Sequence, residues 1–197
     1  WTPPSPPQWT PSQPTLSIHR HLCYNIMNPN APPELLWDVI HPPNYARVSD
    51  PRHPRMWKKP EFDSEAVQPS VKKVWIVCDH AVLGFWIKKW GHITVTSEKN
   101  VTIRDILDGI FKYLRKPLTE SDIEDLNTVP GNLDSLDYAR TKRAKESLEV
   151  DSVVLSSSYR RVDVVGTHRR FAGMRIVVYP DDTWRLHFNL LPGPVPR

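Results

Sequence analysis

The sequence predicts a single α+β domain, in which an antiparallel sheet of about five to seven strands packs against one main amphipathic helix and two lesser helices. Three observations favour this fold class. The chain has 197 residues, enough for one domain with a substantial core. Runs rich in β-branched and aromatic residues, which favour strands, occur before and after the middle of the chain. Between these runs the apolar spacing changes from the period of a strand to that of a helix.

The first third of the chain predicts little regular structure. Residues 1–15 are rich in proline, which predicts an extended tail before the domain. Apolar residues of one parity between 16 and 26 predict a half-buried strand. Prolines on both sides of 35–40 allow only a short strand or a helical turn there. From 41 to 69, proline, charge and turn residues predict an ordered surface loop, a common place for partner binding.

Two strands are predicted next, at 71–78 and 83–95, because both stretches are dense in aromatic and β-branched residues. The short connection at 79–81 joins them. Trp86 and Trp90 differ by four positions, so on a strand they share one face.

The middle of the chain predicts the helices. Apolar residues between 101 and 116 recur at the spacing of a single helix face, which predicts the main helix of the domain. Thr119, followed three residues later by Asp122, predicts the capped start of a second helix. A third helix is predicted at 133–148, polar on most sides and therefore only partly buried.

The last part of the chain predicts strands at 161–165, 174–179 and 184–190. Segment 159–174 combines an apolar and charged alternation with a central glycine, which predicts a β-hairpin with paired arginines on both arms.

Three sequence strings carry a resemblance to a known family. They are LWD near the start, VTIRDIL at the start of the main helix, and RVDVVG followed by RRFAGM near the end. With these strings the chain resembles an uncharacterised domain of unknown function found mainly in mushroom-forming fungi. The resemblance implies one domain over residues 16–190, with the proline-rich tail and a proline-rich exit at 191–197 outside it. It implies no activity, cofactor or site residue.

Composition narrows the class of protein. Lys and Arg number 26 against 22 Asp and Glu, and a net charge of +4 alone does not predict nucleic-acid binding. Two cysteines are too few for a disulfide scaffold. Apolar runs are too short to span a bilayer. The chain opens without Met or a signal-peptide pattern, which indicates a piece of a longer protein; we expect an intracellular location, cytoplasmic or nuclear.

Catalytic and cofactor motifs are missing from the sequence. It contains no nucleophile elbow, zinc-protease helix or phosphate-binding glycine loop, so neither catalytic residues nor a cofactor is predicted. His19, His21 and Cys23 fall on one face of the first predicted strand, and imidazole and thiolate are zinc ligands. Cys78 and His80 would lie beside them if the two strands paired. The close ligand pairs of structural zinc sites are missing, which favours a row of non-ligating side chains.

The leading hypothesis is a non-catalytic module that binds another protein or a peptide. It depends on eight tryptophans, on proline-rich segments and on clustered arginines, which are typical of recognition surfaces. The candidate binding residues are Trp57, Trp86, Trp90, Arg160, Arg161, Arg169 and Arg170.

Two other functions stay open. One is a small-molecule binder or enzyme with a tryptophan-lined pocket. The other is nucleic-acid binding by the arginines of 140–145 and 160–170, although interleaved acidic residues favour ion pairs there. The residues expected to line the pocket are Trp75, Trp86 and Trp90, with His80 or His92 as the polar group.

Overall fold

A computed structural model describes residues 16–24, 33–50 and 53–193. The predicted tail at 1–15, with Trp1 and Trp9, and most of the exit at 191–197 lie outside the described residues. Helices and strands are mixed along the described chain, as the α+β class predicts. In this part of the chain, every helix is too short or too polar to cross a membrane.

The described residues form nine strands and five α-helices, with three short 3₁₀ turns between them. The strands are β1 (Ser17–Ile18), β2 (Leu35–Leu36), β3 (Arg47–Asp50), β4 (His53–Lys58), β5 (Val67–Gln68), β6 (Lys73–Cys78), β7 (Ile93–Thr96), β8 (Arg170–Val178) and β9 (Trp184–Leu191). The helices are α1 (Ala81–Trp90), α2 (Ile103–Leu114), α3 (Glu120–Asn127), α4 (Asn132–Glu146) and α5 (Asp151–Ser156).

The sheet arrangement differs from the prediction of one antiparallel sheet. The largest sheet has four strands in the order β7-β6-β9-β8, and its central pair, β6 with β9, is parallel. Two smaller sheets hold β2-β3-β4 and β1-β5. A parallel pair needs a long crossover, and all five helices lie between β6 and β9 in the sequence.

The first third of the chain holds shorter strands and more of them than predicted. Within 16–24, the described part of the strand expected at 16–26, only β1 is a strand, because the chain enters a 3₁₀ turn at Arg20–Leu22. The loop expected at 41–69 contains the β3–β4 hairpin and β5. Pro54 lies inside β4, and β4 is the edge strand of its sheet, where a missing backbone donor is tolerated.

The strand predicted at 83–95 is wrong over most of its length, because residues 81–90 form α1 and only β7 is extended. The His80 side chain caps the helix by accepting a hydrogen bond from the backbone N–H of Leu83 at 3.4 Å. Gly91, with φ of +84°, ends it. Aromatic residues favour strands in general, but here the inward-facing apolar residues recur at the spacing of one helix face; they are Leu83, Trp86, Ile87 and Trp90.

The hairpin predicted at 159–174 is also wrong. Its first arm, Arg161–Val165, forms a 3₁₀ turn in which Asp163 accepts a hydrogen bond from the backbone N–H of Arg160 at 2.8 Å. Asp163 thus behaves as a capping residue, which a strand would not need. The strands predicted at 174–179 and 184–190 are confirmed as β8 and β9.

The predicted helices are confirmed, with shifted ends. The main helix is α2, and Thr102 with Asp105 forms a capping box at its start. The capping box predicted at Thr119 and Asp122 is present at the start of α3. The third helix is α4, which ends at Glu146 and is followed by α5, a helix that the sequence did not predict.

The core lies between α2 and the four-stranded sheet. The apolar face of α2 is fully buried, and Gly109 on that helix approaches Val95 of β7 closely. A Cβ at position 109 would lie 2.5 Å from Val95 Cγ2, so only glycine fits at this crossing without a shift. The α2 residues with no exposed surface are Ile103, Ile106, Leu107, Ile110 and Leu114.

We expect Gly109→Ala to lower the free energy of unfolding by about 1–3 kcal/mol, because overpacking outweighs the better helix propensity of alanine. Removing the opposing methyl groups should relieve the contact. Val95→Ala in the same chain should therefore give a double variant that is more stable than the sum of the single changes predicts. Urea denaturation of the four proteins measures this coupling, and strictly additive losses would contradict the close contact.

Candidate binding groove

Three of the four arginines predicted to bind a partner are engaged within the protein. Arg160 forms two hydrogen bonds with Glu149, at 2.5 and 2.7 Å, and these bonds lower the pKa of Glu149. Arg169 is buried and pairs with Asp38 and Glu146. The guanidinium of Arg161 lies 4.6 Å from the ring centroid of Trp90 and 4.4 Å from that of Tyr113. Arg170 opens β8, and its Nε atom is buried.

The basic residues of α4 are distributed over different environments. Arg143 is 2% exposed and pairs with Asp163. Arg140 donates a hydrogen bond to Asp137, and its guanidinium lies 4.3 Å from the ring centroid of Tyr159. Nucleic-acid binding through these side chains stays a prediction, and it would require breaking several of these pairs.

Trp86 and Trp90 stack on each other at the end of α1, with their ring centroids 5.0 Å apart. Trp86 is 4% exposed, and the indole N–H of Trp90 donates to Asp122 Oδ1 at 3.0 Å. These two residues hold α1 against α3 and α4, in a second apolar cluster with Leu118, Leu126 and Leu136. Of the three tryptophans predicted to bind, only Trp57 is exposed, at 38%, with the Arg47 guanidinium 4.8 Å from its ring centroid.

The residues of the predicted tryptophan pocket do not line one cavity, and Trp90 lines neither of the two described below. Trp86 contributes to one of them, and His80 and His92 contribute to the other. Trp75 lies on an exposed face of β6 beside Lys73.

The candidate zinc ligands do not form a cluster. His19 and His21 have ring centroids 4.8 Å apart, and the free thiol of Cys23 is exposed. The backbone of Cys23 forms an isolated β-bridge with that of Met174 on β8. Strands β8 and β9 therefore separate Cys23 from Cys78 on β6. Burial raises the pKa of Cys78 to about 12. Among the residues that the structure describes, no group of three or more His, Cys, Asp or Glu is arranged to hold a metal ion.

A large open groove, with a volume of about 1200 Å³, lies between α1, the region of α3 and α4, and the loop after the 3₁₀ turn at 161–165. Four apolar side chains on its walls are strongly exposed. They are Phe85 at 65%, Tyr138 at 56%, Val129 at 54% and Val82 at 45%.

The charge of this groove is opposite in sign to that of the whole chain. Asp125 and Asp134 line it, and the chain carries +4 overall. Asp163 also borders it but is paired with Arg143. Among the described lining residues there is neither Lys nor Arg. Lys89 reaches Asp125 from outside, with Nζ 2.5 Å from Oδ2, so Asp134 is the more accessible negative charge.

Sequence reasoning missed the exposed groove residues. With 83–95 taken as a strand, Phe85 has no special place, whereas on α1 it lies one turn after Val82 on the open side. The spacing of Val82 and Phe85 was the available signal. Val129 and Tyr138 join them only through the packing of α3 and α4.

Comparison with known proteins gives one match. Residues 35–183 match the model of a family described as a family of unknown function, DUF6699. This match agrees with the resemblance to an uncharacterised domain, and all residues that line the groove lie inside it. Neither a curated protein nor a solved structure matches the chain.

Proposed function

We propose that this chain, which belongs to the family of unknown function DUF6699, is a non-catalytic binding module for a peptide segment of another protein. The partner segment carries apolar side chains together with lysine or arginine. The observation that carries the proposal is a groove with exposed apolar walls and acidic residues, in a chain with a net positive charge.

The apolar part of the proposal is supported by the exposure of Phe85 and Tyr138. Large aromatic side chains are favoured at the centres of binding interfaces, since they bury much area and order few torsions. Full burial of one such side chain contributes about 1.5–3 kcal/mol. In this groove two aromatic and two aliphatic side chains are available to one ligand.

The charge of the ligand is inferred from Asp134 and Asp125. A carboxylate at the edge of an apolar groove favours a cationic residue in the partner and disfavours an acidic one. The helical arrangement of the walls suits a short helix or an extended segment, which are both common modes of peptide recognition.

Selection of peptides from a displayed random library on the immobilised chain tests this function. We expect selected sequences to combine apolar residues with Lys or Arg. For one such peptide, Phe85→Ala should weaken binding by about tenfold or more, a loss of about 1.4 kcal/mol. Val178→Ala is the matched control, because Val178 is 58% exposed on β8 and does not line the groove, and it should leave the Kd unchanged.

Asp134→Lys in the same assay tests the charge. It should weaken binding of the basic peptide and reduce the dependence of its Kd on salt. Selection of acidic peptides, or equal affinity for the chain and its Phe85→Ala variant, would contradict the proposal.

A further inference from the structure

A second cavity, of about 560 Å³, lies on the other side of α1, between the end of β6 and the turn that joins β8 to β9. Ionisable side chains make up most of its lining, a larger share than in the groove. These are Cys78, Asp79, His80, Lys88, His92, Tyr179, Arg185 and His187.

Side chains from distant parts of the sequence form a hydrogen-bonded row on one wall. Asp79 Oδ1 lies 2.8 Å from His187 Nδ1, and Asp79 Oδ2 accepts from Arg175 Nε at 2.9 Å. The Tyr179 hydroxyl lies 3.0 Å from His187 Nε2. Nδ1 of the His187 ring faces the carboxylate and Nε2 faces the Tyr179 hydroxyl, so the ring joins these two groups by hydrogen bonds. The row therefore fixes the position of Tyr179.

The charge of Asp79 is compensated inside this row. Burial raises the pKa of Asp79, but hydrogen bonds from Arg175 and His187 outweigh it and hold the pKa below its usual range. Asp79 is thus ionised at neutral pH and balanced by the Arg175 guanidinium. It is the single carboxylate among the described residues that line the cavity.

The cavity carries two further cations. The Arg185 guanidinium lies 4.9 Å from the Tyr179 ring centroid, within the range of a cation–π contact. Lys88 lines the cavity from α1, whose positive end begins at Ala81 on the same cavity. Asp181 lies in the turn near Arg185, and its carboxylate accepts hydrogen bonds from Thr183. Asp181 is not part of the lining, so among the lining residues the two cations Lys88 and Arg185 outnumber the single carboxylate of Asp79.

We propose that this cavity binds a small molecule that carries an oxyanion, either a carboxylate or a phosphate group. Arg185 and Lys88 contact the oxyanion, and the planar guanidinium suits both kinds of ligand because it donates in parallel pairs. Tyr179 and His187 are positioning residues, since the row from Asp79 holds the ring on which Arg185 lies. The volume fits a ligand of metabolite size.

Titration of the full chain with phenyl phosphate and with benzoate, at low ionic strength and followed by NMR, tests this site. We expect saturable shifts of Arg185 and its neighbours for at least one of the two probes, and the stronger probe identifies the oxyanion class. Arg185→Gln and Lys88→Gln should each weaken binding about tenfold or more. Lys99→Gln is the matched control, because it removes the same charge beyond the far end of β7, and it should leave the Kd unchanged.

Two substitutions of Tyr179 distinguish a positioning role of this residue from a general role in the fold. Tyr179→Phe keeps the ring under Arg185 but loses the hydrogen bond to His187, so it should weaken binding by less than Tyr179→Leu, which also removes the ring and should lose as much as Arg185→Gln. Failure of both probes to bind at concentrations on the order of 10 mM would overturn the site. An equal loss in Lys99→Gln would do the same, because it would reduce the effect to overall charge. Neither of these two outcomes bears on the proposal that the groove binds a peptide.

Discussion

Asp163→Ala is expected to lower the free energy of unfolding by about 3–5 kcal/mol, because it leaves a buried arginine without its counter-charge. Arg143 Nε lies 2.8 Å from Asp163 Oδ1, and Nη2 lies 2.9 Å from Oδ2. The two side chains are 2% and 1% exposed. Asp163 also caps the 3₁₀ turn through the backbone N–H of Arg160. One substitution thus removes three hydrogen bonds to a charged group.

Asp63→Ala provides the matched control for this prediction. Asp63 is 95% exposed and lies 3.7 Å from Arg104, so its loss should change stability by at most about 0.5 kcal/mol. Urea denaturation of both variants gives the comparison. The double variant Arg143→Met with Asp163→Ala should recover part of the loss, because it also removes the unpaired charge. Equal stability of the Asp163→Ala and Asp63→Ala variants would show that the buried pair contributes little.

Gly173→Ala is expected to lower the free energy of unfolding by about 2–5 kcal/mol, from backbone strain together with overpacking. Gly173 has φ of +96° at the irregularity in the β8–β9 pairing. A Cβ there would lie 2.8 Å from Cys23 O and 2.8 Å from Tyr24 Cα. Both atoms belong to backbone, which cannot rotate away as a side chain can. The segment at 23–24 must therefore move off β8.

Gly131→Ala separates the two causes. Gly131 also has a positive φ, of +84°, but a Cβ there meets no atom within 4 Å. Its substitution should show strain alone, a loss of about 1–2 kcal/mol. Thermal and urea unfolding of both variants measure the difference. Similar losses at the two positions would mean that the contact with residues 23 and 24 does not constrain β8.

The parts of the fold that sequence predicted well are local. The apolar stripe of α2 and the capping box at Thr119 and Asp122 involve residues within a few positions of each other. Helix α1 carried an equally local signal, but its aromatic composition favoured a strand and concealed it. The 3₁₀ turn at 161–165 depends on Asp163, whose main partner, Arg143, lies twenty residues earlier.

The candidate sites were harder to predict because residue type does not determine whether a side chain is exposed to solvent. Tryptophans were the natural candidates for recognition, yet Trp86 is buried and Phe85 beside it is exposed. The arginines were candidates for ligand binding, and Arg160 and Arg169 are in ion pairs with acidic residues from α4 and the segment that follows it.

By itself the sequence determined the mixture of helices and strands, the family and the existence of the main helices, because periodicity and capping act over one or two turns of chain. Tertiary structure alone decided the parallel pairing of β6 with β9, the walls of the groove and the row from Asp79 to Tyr179. Asp79 and His187 stand 108 positions apart in the sequence. Their meeting depends on how five intervening helices pack, and packing is a property of the whole chain that no local pattern contains.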